Sequence, residues 1–399
     1  HLDYQSPRLM RRVLVLLFVL IALSCNQNKK KESKDFTRAF YYWQTTDRDF
    51  NFGDSSYKAL KIQKLYWRFF DVGWDKEKQK PVPLGELDAY DLGQVENTNI
   101  VPVVFITNET FTRLNLQQSK DLAHRVNKKI ETKLNNALFG WGGYYPYSWW
   151  HGQDPYQLKT QTYNEQEKKD SVFNAMQRHI KETQFDCDWT ASTKEKYFAF
   201  LKEYKNVDKQ KIISSTIRLY QYKYPKKAGV PPVDRGILMC YNAGTITKKD
   251  TRNSLFSSEE VMSYIDNVDS YPLELDYALP FFSWAVWFRG DKLQNILSLK
   301  ELSLHNNVIS KGDSIQLARS ERNLVTVIRD FTYGDNYNSH YIRKGDQLRI
   351  ERSDMSDVIK IASYLSTKRK PGSTLTLFHL NKYDFQEYNE EIKVVFDSF

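Results

Sequence analysis

Eight apolar, strand-like runs recur along this chain with helical patterns between several of them, and that count limits the fold more than any other feature. The runs lie at Ala39 to Trp43, Ile62 to Phe70, Ile100 to Ile106, Gln184 to Asp188, Ile212 to Leu219, Gly236 to Asn242, Leu273 to Leu279 and Thr374 to His379. Parallel strands joined by helical crossovers bury both faces of a sheet, and eight such units close into a ring. The expected fold class is α/β, a TIM-like (β/α)8 barrel. The clearest helix spans Leu116 to Leu134, where Leu122, Val126, Ile130 and Leu134 repeat every four residues on one face. Further helices are expected at Ser192 to Tyr204, Ser257 to Asn267 and Ser356 to Leu365. The first of these opens with Ser192 and Glu195 in capping-box spacing.

Two segments interrupt the alternation. Residues 139–165 hold Trp141, Tyr144, Tyr145, Tyr147, Trp149 and Trp150 among glycines. These rings either cover a hydrophobic shoulder of the barrel or form a platform for planar ligands. Residues 300–353 show short strand-like runs with turns at Lys311-Gly312-Asp313, Gly334-Asp335-Asn336 and Lys344-Gly345-Asp346. They are expected as a β-rich insertion between barrel strands seven and eight, the alternative being a small separate β domain.

The N-terminal stretch has the marks of an export address. Met10-Arg11-Arg12 is basic, Val13 to Leu23 is unbroken apolar, and Ala22-Leu23-Ser24-Cys25 ends on a cysteine after small residues, as in a bacterial lipobox. The apolar run falls short of the roughly 20 residues needed to cross a bilayer. Residues 1–24 are therefore expected to be upstream sequence and signal peptide, with Cys25 the lipidated residue. Residues 25–36 then form a lysine-rich tether, and 37–399 the barrel. The partner expected from this end is a membrane, reached through the lipid anchor, and the location the bacterial cell envelope, periplasmic or surface-exposed. The net charge of +9 is spread along the chain rather than gathered in a stripe, so nucleic acid is not an expected partner. Cys187 and Cys240 fall on separate strands with a third between them and are expected as core thiols.

In a barrel of this kind functional groups gather at the C-terminal ends of the strands. The run Thr183-Gln184-Phe185-Asp186-Cys187-Asp188-Trp189-Thr190 puts Asp186 and Asp188 on one face of a strand and Phe185, Cys187 and Trp189 on the other. Two neighbouring carboxylates are costly to bury unless a cation, hydrogen bonds or a substrate compensates. The other readings are a solvated strand end and an ion-pair network with Arg218 from the next strand, whose guanidinium can bridge carboxylates. Other polar residues at expected strand ends are Arg68, Asp71, Glu109, Tyr241, Asn242, Asp276, Tyr277 and His379. A metal held by Asp186, Asp188, Asn242 and His379 lacks any close histidine spacing, so no metal or other cofactor is expected.

Two of these motifs resemble a known family. Asp186-Cys187-Asp188-Trp189 and Met239-Cys240-Tyr241-Asn242 are similar to the fourth- and sixth-strand signatures of chitinase-like glycoside hydrolases, Asp-x-x-Asp-x-Asp-x-Glu and Met-x-Tyr-Asp or Asn. Longer blocks resemble a bacterial lipoprotein family with a glycoside hydrolase-like barrel. They are Leu65 to Asp71, Phe185 to Thr190, Pro231 to Gly236, Leu275 to Pro280 and Tyr341 to Asp346. In the chitinase-like family the last glutamate protonates the leaving oxygen and the aspartate before it orients the substrate's acetamido group. Here Thr190 takes the glutamate position and Thr183 the first aspartate position, and a threonine hydroxyl is no general acid near neutral pH.

The resemblance implies a glycoside hydrolase-like protein that acts on or binds a polysaccharide or glycan at the C-terminal face of the barrel. Asp186 and Asp188 are expected to position substrate and Asp276 to supply the proton, with Asp71 and Glu109 as alternative acids. Arg68, Asp71, Arg218, Tyr241, Asn242, Tyr277, Trp284 and His379 are expected to line the cleft. The competing expectation is a non-catalytic glycan-binding protein on a degenerate barrel, which Thr190 favours.

Overall fold

The computed structural model describes residues 36–46, 49–88, 98–139, 180–242, 244–266, 270–299, 302, 323–334 and 339–399. The export segment, Cys25, the tether, the aromatic run from Trp141 to Trp150 and the turn at Lys311 lie outside them. Among the described residues no helix is long and apolar enough to cross a membrane.

Fifteen strands are described: β1 (Thr37–Tyr42), β2 (Lys64–Asp75), β3 (Lys80–Leu84), β4 (Asn99–Ile106), β5 (Glu182–Asp186), β6 (Ile212–Arg218), β7 (Arg235–Met239), β8 (Glu274–Pro280), β9 (Ser283–Arg289), β10 (Lys292–Ser298), β11 (Leu324–Thr326), β12 (Phe331–Tyr333), β13 (His340–Ile342), β14 (Gln347–Arg352) and β15 (Thr374–Phe378). Eight of them pair in parallel in the order β1, β2, β4, β5, β6, β7, β8 and β15, and β15 returns to β1. The ring is a closed (β/α)8 barrel, and each of the eight expected runs supplies one of its strands. β3 folds back on β2 as an antiparallel hairpin outside the ring.

Helices cover the outer face. The helix Leu116–Phe139 buries Leu122, Val126, Ile130 and Leu134, the stripe predicted from the four-residue repeat. The helix Lys194–Val207 starts later than expected. Its N-cap is Thr193, whose side chain makes no capping bond, so the Ser192 capping box does not form. That helix buries Tyr197, Phe200 and Tyr204 against Phe185, with the Phe185 and Tyr204 ring centroids 4.6 Å apart. Cys187 and Cys240 are buried free thiols, as expected of core cysteines.

Between β8 and β15 lie a four-stranded antiparallel sheet, β10-β9-β14-β11, and the β12–β13 hairpin. Strands β9 and β10 come before residue 300, so the antiparallel structure starts at Ser283, directly after the seventh barrel strand. Its core joins Trp287, Leu297, Leu302, Val325, Ile342, Leu348 and Ile350.

The barrel floor is unusually polar. Lys64 Nζ lies 2.8 Å from Glu182, whose other oxygen accepts from Ser214 at 2.6 Å. Asp276 is fully buried near the start of β8, where Arg235 grips it through two nitrogens at 2.7 and 3.0 Å and the Thr374 backbone N–H donates at 2.6 Å. Removing one partner of such a pair leaves a buried charge uncompensated, which costs about 3–5 kcal/mol. Arg235→Met, which strips the fully buried Asp276 of its cation, is therefore expected to lower unfolding free energy by about that amount in urea titrations. Loss of less than about 1 kcal/mol would show that the floor pair does not hold the barrel together.

Candidate active site

The register places the site. Asp71 of β2 pairs with Phe105 of β4, and Phe105 pairs with Asp186 of β5, so two carboxylates share one level of the ring with a single strand between them. Asp71 reaches that level after an irregularity between Arg68 and Phe70. A bulge of this kind changes which side chains face inward beyond it. Both carboxylates open into a cavity of about 690 Å3 at the C-terminal end of the barrel.

Strand β5 ends at Asp186, two residues short of the sequence expectation, and Asp188 stands exposed on the turn beyond it. The alternation nevertheless persists. Cys187 and Trp189 are buried on the opposite side, where the Trp189 ring stacks on Tyr197 at 5.3 Å and its indole N–H donates to the Ala228 carbonyl. Asp186 and Asp188 thus line the same cavity by different means, one from the ring and one from a loop.

Asp186 is half-buried and accepts one described hydrogen bond, from the Thr216 hydroxyl at 2.7 Å. Burial, and then the negative charges of Asp188 and Asp71, push its carboxyl up to about 7, against the pull of Thr216 and Arg218. At neutral pH the group therefore exchanges a proton readily. Asp188 lies 3.2 Å from Arg218, with both side chains about half exposed. Asp71 is gripped by Arg68, whose Nε donates at 2.8 Å and whose Nη2 makes a second, shorter bond. The Arg68 guanidinium also covers the Trp43 ring at 5.5 Å. Gly85 has a left-handed backbone, φ +49°, and a Cβ there would fall 2.6 Å from Arg68 Nη2. Glycine is needed at this position for both reasons.

Tyr241 is buried in the wall and stacks on Phe378 at 5.5 Å. Burial and the nearby Asp186 hold its phenol well above the usual range, so it keeps its proton and can donate. Burial depresses the His379 imidazole to about 4, leaving it neutral. Its Nδ1 and the Asn242 Oδ1 are buried without a hydrogen-bond partner among the described residues. Trp284, on β9, forms a wall with its indole N–H donating to Glu351 at 2.6 Å. The fully buried Arg349 and Ser254 fix Glu351 in turn. Among the described residues, no group of three or more His, Cys, Asp or Glu side chains is arranged to hold a metal ion.

Of the candidates named from the sequence, Asp71, Asp186, Asp188, Arg218, Tyr241, Asn242, Trp284 and His379 line this one cavity. Arg68 contributes through Asp71 rather than by lining the cavity. Two expectations are corrected. Asp276 sits at the opposite end of the barrel, because β8 runs on to Pro280 and Asp276 is only its third residue. Tyr277, its neighbour on the strand, points away and packs against Phe399 at 5.8 Å. Glu109 pairs loosely with Arg113 on the helix Asn108–Arg113 and is not part of the lining.

Sequence reasoning missed Asp49, Arg352, Lys382, Asp384 and Glu387 in the lining. Three of these lie in the first turns of the helix Lys382–Ser398, which Asn381 caps through bonds from the Tyr383 and Asp384 N–H groups. The available signal was their place just after the eighth strand, where a βα connection must pass the barrel mouth.

No protein-family model matches the chain, and no curated protein matches it. Solved structures do. A chitinase from Chromobacterium violaceum ATCC 12472 is similar at 10% identity and TM-score 0.45, with 90% of this chain and 99% of that one covered. A glycoside hydrolase family 18 N-acetylglucosaminidase from Paenibacillus barengoltzii is similar at 10% identity and TM-score 0.47, covering 91% and 100%. The Bacillus cereus spore cortex-lytic enzyme SleL is similar at 14% identity and TM-score 0.44, covering 91% and 74%.

The raised Asp186 carboxyl carries a stability consequence. Between the ordinary carboxyl range and about pH 7 the folded state holds a proton that the unfolded chain has released, so this group's contribution to stability falls as pH rises through that window. Asp186→Asn removes the penalty. It is expected to raise unfolding free energy at pH 8 by about 1–2 kcal/mol, after discounting for solvent, and by little at pH 4. Equal effects at both pH values would contradict the shift.

Proposed function

We propose that this protein is a glycoside hydrolase-like enzyme that cleaves a glycan in the cavity at the C-terminal face of its barrel, with Asp186 as the proton donor. The observation that carries this reading is a proton-exchanging carboxyl at the end of one strand with a second, Arg-oriented carboxylate on the same level one strand removed. General acid catalysis is most effective when the donor's pKa lies near the working pH. Asp186 would protonate the glycosidic oxygen as the bond to the anomeric carbon breaks. Asp71 would take a proton from the water that attacks that carbon. Asp188, Tyr241 and Asn242 would position the sugar.

Two strand spacings put the Asp71 and Asp186 α-carbons roughly 10 Å apart, and inward-pointing side chains bring the carboxyls somewhat closer. That leaves room for a water, as inverting enzymes require, rather than the roughly 5 Å of a covalent retaining pair. The anchor at Cys25 would place the activity at the bacterial envelope.

A second reading is favoured by Thr190. With a hydroxyl where the chitinase-like pattern has its acid, the barrel would bind glycan without cleaving it. Reducing-end release from a panel of polysaccharides separates the two. Turnover is expected to fall as pH rises through about 7, because protonated Asp186 is required. Asp186→Asn should lower kcat by about 10²–10⁴-fold, with proton NMR of the first-formed product showing inversion. Glycan binding without turnover by the wild-type chain, equal to that of Asp186→Asn, would establish the binding-only reading and remove the enzyme.

A further inference from the structure

A second cavity of about 470 Å3 adjoins the main one, and the two share Asp188, Arg218, Tyr241 and Asn242. Their charges differ in sign. Asp49, Asp71, Asp186, Asp188, Asp384 and Glu387 line the main cavity, against Arg218, Arg352 and Lys382. In the second cavity Asp188 is the acidic residue and faces Arg218 and Lys227. Since Asp188 and Arg218 pair with each other, Lys227 is the cation in excess there.

The same cavity has ring surface. Tyr220 lines it and is nearly half exposed, and the ring of Tyr224, outside the lining, lies 4.9 Å from the Tyr220 ring. The Lys227 ammonium lies 5.8 Å from the centre of the Tyr220 ring, which keeps a cation at this partly exposed aromatic ring. Lys223 donates to the Ser263 carbonyl and lies 5.3 Å from the ring of Tyr264, which also lines the cavity. Exposed rings stack on the apolar faces of sugars, and a cation beside the ring selects what the sugar carries.

We propose that the second cavity is a subsite for a carboxylate-bearing sugar, the neighbour of the residue held in the main cavity, with Tyr220 beneath the ring and Lys227 with Arg218 on the carboxylate. The inference rests on the glycan reading above and adds the chemical class of its substrate. A glycan lying across both cavities would present an uncharged or amino sugar to the acidic half and an acidic sugar to the basic half. A uronate and a lactyl ether both carry this carboxylate, and the recognition chemistry is the same for either.

The test uses the full chain carrying Asp186→Asn, so that ligands stay intact, and measures calorimetric affinity for three tetrasaccharides. These are chitotetraose, an alternating glucuronate and N-acetylglucosamine tetrasaccharide, and one alternating N-acetylglucosamine with N-acetylmuramic acid. At least one carboxylated ligand is expected to bind about 5-fold tighter than chitotetraose at low salt, the worth of about 1 kcal/mol of ion pairing. Which one does so identifies the source of the carboxylate. Lys227→Gln should erase that preference while leaving chitotetraose affinity within about 2-fold, and 0.5 M salt should shrink it. Equal affinity for all three ligands, or a preference that survives Lys227→Gln, overturns the subsite and leaves the glycan reading standing. Failure of all three, and of the polysaccharide panel, to bind the folded wild-type chain removes both.

Discussion

The inward-facing side chains of β5 are Glu182, Gln184 and Asp186, a polar set running up the inside of a closed ring. A barrel interior is ordinarily filled by branched apolar side chains, so each of these groups needs an answer from a neighbouring strand. Glu182 has Lys64 and Ser214. Gln184 accepts from the Tyr41 hydroxyl at 2.5 Å. Asp186 has Thr216 on one oxygen and two further carboxylates nearby. Compensation thus runs out along a single strand, from fully paired at the floor to incompletely paired at the mouth.

The cavity wall depends on a second set of buried charges. Arg349 and Glu351 are both fully buried and 2.6 Å apart, and Glu351 also takes bonds from Ser254 and Trp284. An ion pair so enclosed is weak evidence for stability, since apolar residues of the same volume often do as well. What it does provide is a fixed acceptor for an indole that must stand at a cavity edge. β9 carries Trp284 directly after the seventh barrel strand, so the antiparallel sheet is joined to the mouth by its first two residues.

Much of this was legible from periodicity. The eight barrel strands were visible as short runs with a buried apolar face, bounded by polar turns, and the helix Leu116–Phe139 because its stripe repeats regularly. The lining from β2, β5, β6, β7 and β15 followed from the rule that strand ends carry function. Asp276 shows where that rule fails. Its strand extends four residues past it to Pro280, and an aspartate near the start of an apolar run looks the same in sequence as one near the end. The pairing with Arg235 that explains it is a contact between strands, invisible to local pattern. The lining from Asp384 and Glu387 went unseen for a related reason: charges on a helix read as a solvated face until the helix's position over the mouth is known.

Thr190 can be understood by what it does instead of acid catalysis. Its N–H donates to the Thr193 hydroxyl at 2.9 Å, its own hydroxyl lies 2.9 Å from that of Ser192, and the Thr193 hydroxyl in turn donates to Asn108 at 2.6 Å. These bonds tie the turn after β5 to the start of the helix Lys194–Val207 and to the neighbouring βα connection. A glutamate at this position would lose the short hydroxyl contact with Ser192. The chain has committed the position to holding a turn, and the acid proposed above stands closer to the ring. Asp186 is the carboxyl whose surroundings supply what a glutamate in the loop would have needed: partial burial, one hydroxyl donor, and like charges that make giving up a proton at neutral pH neither too easy nor too hard.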